Sequence, residues 1–146
     1  MSGGYKILEH TADLGLQVWG KTPEELFTEA AQAMMSLYVD PKSVVEKEAC
    51  PLRVEAGTLE DALHVLLREI LSEMQVKSWV FSRFQIEKTN ISKNCEKTYF
   101  LESRLWGEPI DLKRHDICLE IKAVTRHNFY VKRNNPWWEA SILFDV

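Results

Sequence analysis

The chain has 146 residues, the length of one ordinary domain, and 45% of them are hydrophobic against 27% charged, so it can bury a real core. Six glycines and five prolines exclude collagen-like and linker-like chains, and no apolar run nears the roughly 18 residues of a membrane helix. With 22 acidic and 18 basic residues, net charge −4, it is poorly suited to holding a phosphate backbone alone, although it could act on nucleic acid through a basic partner.

In chain order, Met1-Ser2-Gly3-Gly4 carries no apolar signal segment, which points to a cytoplasmic protein. Leu14, Leu16 and Val18 alternate along one strand face. Thr22-Pro23-Glu24-Glu25 is a helix start, with Thr22 as cap and Glu25 closing a capping box. Leu26, Phe27, Ala30, Met34, Leu37 and Tyr38 follow at helical spacing until Asp40-Pro41 ends the helix. Residues 52–56 read as a short strand. Thr58 then opens a second helix whose stripe runs from Leu59 through Leu63, Leu67 and Ile70 to Met74.

After Trp79 the period becomes two. Val80, Phe84 and Ile86 share a face, and Tyr99, Leu101, Ser103 and Leu105 oppose Phe100, Glu102, Arg104 and Trp106. Gly107-Glu108-Pro109 is expected to break that strand. Ile117, Leu119, Ile121 and Ala123 are expected to face the core from the next one, with Cys118 as plain core. Asn134-Asn135-Pro136 makes a turn, and Trp138, Ala140, Ile142 and Phe144 line the last strand, leaving Trp137 outward as a partner contact. The fold class is α+β: a single domain, 1–146, with two helices packed on a mostly antiparallel sheet.

Few residues offer chemistry. Cys50, Cys95 and Cys118 are odd in number and far apart, against a disulfide framework or a zinc ribbon. No phosphate-binding glycine loop, nucleophile elbow or zinc-binding helix occurs. Glu9-His10-Thr11-Ala12-Asp13 is a polar cluster at a strand edge. It reads either as a capped turn or as a site for metal or proton transfer, its carboxylates suiting a hard cation. Phe144-Asp145-Val146 places Asp145 and a terminal carboxylate at a strand tip. That is either a solvated end or part of a cation site if a third oxygen donor is near. Lys113-Arg114-His115-Asp116 reads as a solvated hairpin and His64 as a surface residue; nothing decides for His127.

Taken in order, these segments resemble the archease family over about residues 5–146. Glu9–Asp13, Trp19-Gly20-Lys21-Thr22, Phe81-Ser82-Arg83-Phe84, Gly107–Asp111 with Arg114-His115, Glu120–Thr125 and the ending Phe144-Asp145-Val146 carry the likeness. Arg126-His127 departs from it, an aromatic before the His being more usual. The resemblance implies a non-enzymatic accessory protein of the GTP-dependent tRNA-splicing RNA ligase, promoting its guanylylation and multiple turnover and meeting RNA only through the ligase. It implies a divalent-metal site, with Ca²⁺ the associated ion, at Asp13, Asp145 and Val146; a mechanism built on that site would place Lys122 near it. A stand-alone metal-dependent hydrolase and a chaperone-like modulator of tRNA modification enzymes are the alternatives.

Overall fold

The computed structural model describes residues 3–9, 13–93 and 97–146. Two helices pack against two antiparallel sheets, so the α+β class holds, with two sheets where one was expected. The larger contains β1 (Gly4–Glu9), β2 (Asp13–Gly20), β8 (Trp137–Asp145) and β6 (Ala123–Val124) in that order, with β7 (Tyr130–Asn134) also on β8. The smaller runs β3 (Glu48–Ala56), β5 (Tyr99–Pro109), β4 (Trp79–Thr89). β1 was not anticipated; as an edge strand it leaves Tyr5 and Ile7 exposed and so lacks the alternation that marks a half-buried strand.

Both helices start where capping chemistry places them. Thr22 Oγ1 accepts from Glu25 N at the head of α1 (Pro23–Tyr38), while the Glu25 carboxylate takes the N–H of Lys21. Thr58 does the same for Asp61 N at the head of α2 (Leu59–Val76). α1 touches β2 and β4, α2 touches β3 and β6, and the helices touch each other. Leu26, Phe27, Ala30 and Met34 meet Leu63, Leu66, Leu67 and Ile70, closed by Leu16, Phe81, Leu105, Ile142 and Phe144 from the sheets. Among the described residues no helix is long and apolar enough to cross a membrane.

Several expectations fail for tertiary reasons. β5 runs through Gly107 to Pro109, because the absent side chain lets β4 approach: a Cβ on Gly107 would lie 1.9 Å from the Val80 carbonyl oxygen. A bulge between Phe81 and Arg83 turns Phe81 to the main core with Phe84 and sends Val80 to a separate cluster with Val39 and Val44. Residues 112–122 form no strand. Ile121 is buried, but Ile117 makes a single bridge to Val39 and Ala123 is exposed. Cys118 is exposed, not core; its N–H donates to the Tyr38 carbonyl. Trp137 and Trp138 are both half-buried, so Trp138 is less enclosed than its alternation implied.

Candidate metal centre

Pairing of β2 with β8 brings Asp13 and Asp145 together. They are direct partners in the antiparallel register, one step beyond the Leu14–Phe144 pair that enters the core. Directly opposed residues project to the same side of a ladder, so the two carboxylates share the outer face at one end of the sheet. Asp145 is exposed; Asp13 is half-buried, and its Oδ1 is buried without a hydrogen-bond partner among the described residues. A buried polar atom almost always has one. Like charges directly across a ladder also repel. An orphaned carboxylate oxygen beside a second carboxylate is a donor set that fits a hard, oxygen-seeking cation such as Ca²⁺.

The other wall belongs to segment 121–124. Ala123 pairs with Asp145 from the far side, and Lys122 N donates to the Asp145 carbonyl over 2.8 Å. Lys122 thus reaches the Asp145 backbone, and its side chain is exposed. Val146 is half-buried against the main core, beside Asp145. Residues 10–12 lie outside the described residues, so the structure gives His10 no place. Among the described residues no three His, Cys, Asp or Glu side chains converge.

Two buried histidines escaped the sequence, and with one of them a buried carboxylate. His64, expected at the surface, is 4% exposed. Its Nε2 lies 3.1 Å from the Val124 carbonyl, its ring meets Phe129 edge-on, and Nδ1 has no partner. Burial, and then the Arg126 charge, hold its pKa below the ordinary histidine value. The cover comes from residues 121–129 folding over α2, which no local pattern announces. His115, expected in a solvated hairpin, is 1% exposed. Its Nδ1 accepts from Asp111 N at 2.9 Å, which leaves the proton on Nε2 to donate to Glu108 at 3.1 Å. Glu108 also accepts from Val45 N at 2.6 Å and from Arg114 Nη2 at 2.6 Å. Led by the Arg114 bond, these donors hold its carboxyl down at about 2. Every polar atom of this triad is satisfied, as in a structural clasp. His127 is exposed, and Arg126 pairs with Asp61 at 2.5 Å. Cys50 is free and half-buried, its thiol pushed up by burial and by Glu73.

This two-sheet α+β domain has counterparts among known proteins. The model of the archease protein family (MTH1598/TM1083) matches residues 5–146. The protein archease of Methanopyrus kandleri is 36% identical over 142 residues, 97% of this chain and 99% of that one. That of Pyrococcus abyssi is 33% identical over 141 residues, covering 94% and 95%. The solution structure of Methanobacterium thermoautotrophicum protein 1598 superposes with a TM-score of 0.84 at 26% identity, covering 98% of this chain and 99% of that one. A Thermotoga maritima crystal structure, described as an archease and possible chaperone, shares the fold at TM-score 0.61 and 22% identity, covering 97% and 96%. The chain belongs to the archease family.

Proposed function

We propose that this chain is the accessory factor of a GTP-dependent tRNA-splicing RNA ligase, promoting ligase guanylylation and repeated turnover, and that Asp13, Asp145 and Val146 hold a divalent cation, Ca²⁺ first among candidates. Family membership supports the ligase role. The observation that carries the cation site is the register of Asp13 on Asp145 with a buried, unpartnered oxygen on the former. Val146 adds an oxygen from the main chain next to Asp145. A cation there supplies the positive charge that the opposed carboxylates lack. The chain's own residues do the remaining work. β2 and segment 121–124 fix Asp145 from both sides, and the outer sheet face presents the site where a partner can reach it. A net charge of −4 suits docking on a basic, RNA-binding enzyme, since complementary fields raise association rates.

The reading is tested by incubating the cognate ligase with labelled GTP and measuring guanylylated enzyme, with and without this chain. Wild-type chain should raise the guanylylated fraction, and Asp13→Asn should not. The chain alone should release no phosphate from GTP. Phosphate release that survives purification and disappears in Asp13→Asn would make the protein a metal-dependent hydrolase instead.

A further inference from the structure

Segment 121–124 is a slight element for the wall it forms. β6 has two residues, Ala123 and Val124, fewer than the usual strand minimum. Its two ladder pairs on β8, Ala123 with Asp145 and Val124 with Phe144, are flanked by bonds from Lys122 N to the Asp145 carbonyl and from Thr125 N to the Leu143 carbonyl, at 2.8 and 2.9 Å. Ala123 is exposed and buries little. Ile121 and Val124 do enter the core, but apolar burial is non-directional, so the height of the segment along β8 rests on this short ladder.

Two side chains of α2 add directional bonds from the other side. Gln75 Nε2 donates to the Ile121 carbonyl over 2.7 Å and to the Lys122 carbonyl over 3.3 Å. His64 Nε2 meets the Val124 carbonyl over 3.1 Å. A carbonyl only accepts, so Nε2 carries the ring proton and Nδ1 is bare. Nδ1 is buried with no partner, an unfavourable state for a polar atom. The ring is held there by that bond and by its edge-on contact with Phe129. From opposite ends of α2, these side chains take hold of both ends of the same short segment.

We propose that His64 and Gln75 are positioning residues that clamp segment 121–124 onto β8 and so keep Asp145 level with Asp13 for a divalent cation. This rests on the cation reading above. It extends that site to a second layer on a helix, where outer partners commonly set metal affinity by ten- to a hundredfold.

The test combines amide hydrogen exchange without metal and calorimetric titration with Ca²⁺ alone, both on the full chain. His64→Leu and Gln75→Leu keep apolar volume but leave carbonyls of the segment without their donors. In both, the Lys122 and Thr125 amides should exchange roughly tenfold faster, with the β1–β2 amides unchanged, and Ca²⁺ should bind roughly tenfold more weakly. His64→Gln, whose amide can reach the Val124 carbonyl, should restore both. Gln75 is solvent-exposed, so Gln75→Leu stands as the test even if His64→Leu fails to fold. The clamp is overturned if Lys122 and Thr125 keep wild-type protection, if they loosen while Ca²⁺ affinity stays unchanged, or if His64→Gln behaves as His64→Leu does. Wild-type chain that binds no Ca²⁺, or binds it equally well as Asp13→Asn, overturns the cation reading and with it the purpose given to the clamp. That failure is distinguishable, because the exchange rates then still respond to the α2 substitutions.

Discussion

Two aspartates face each other across a ladder at Asp13 and Asp145, where their charges repel, and one oxygen of Asp13 is buried with nothing to bond. Without a cation, that pair should cost stability. Asp13→Asn removes one charge, so it should melt at or slightly above wild type in chelator. Wild type should gain about 2.7 kcal/mol when Ca²⁺ is supplied at about 100 times its Kd, roughly 5–10 °C for a domain of this size, and Asp13→Asn should gain nothing. Differential scanning calorimetry with and without Ca²⁺ checks this. A variant melting far below wild type in chelator would mean that Asp13 serves to cap its turn. Both aspartates were visible in the sequence as carboxylates at strand tips. Their meeting was not, because register between strands so distant in sequence is set by the whole sheet. His64 was invisible for a related reason: its neighbours on α2, Glu60 and Arg68, are exposed, and only the distant Val124 and Phe129 enclose it.

At the level of elements, the stretch from Gly107 to Ile121 departs most from its local pattern. Alternating apolar residues suggested a strand, yet the chain instead wraps Ile110 and Ile117 over Val39, Val44 and Val80. The wrap is held by Glu108, 1% exposed, bonded to Val45 N, Arg114 and His115. Helices were legible because caps and stripes are local; this clasp joins three separate segments through one carboxylate. Its pH dependence has a definite sign. The Glu108 carboxyl lies at about 2, below its ordinary 4.5, so the folded state binds this proton less readily than the unfolded chain. The contribution is complete above about 4.5 and is lost as pH falls through about 2. Glu108→Gln should lower stability at neutral pH by roughly 2 kcal/mol, since a neutral amide weakens the bonds that Arg114, Val45 N and His115 donate to this buried carboxylate. It should also flatten the stability curve between pH 4.5 and 2. Urea denaturation across that range decides the matter, and an acid limb as steep as wild type would assign the titration to other carboxylates.

For the molecule as a whole, the α+β class followed from two capped helices among period-two strands, whereas the division into two sheets followed from nothing local. β5 pairs with β3 and β4 while β8 gathers β2, β6 and β7, and those choices depend on how the helix pair fills the space between. The outcome leaves one end of the larger sheet with paired carboxylates on its outer face and segment 121–124 beside them. The most direct measurement is multiple-turnover ligation of tRNA halves by a limiting amount of the cognate ligase, with wild-type chain, with Asp13→Asn and with no addition. The account expects product well beyond one per ligase only with wild-type chain. Equal product in all three mixtures, or full stimulation by Asp13→Asn, would contradict it.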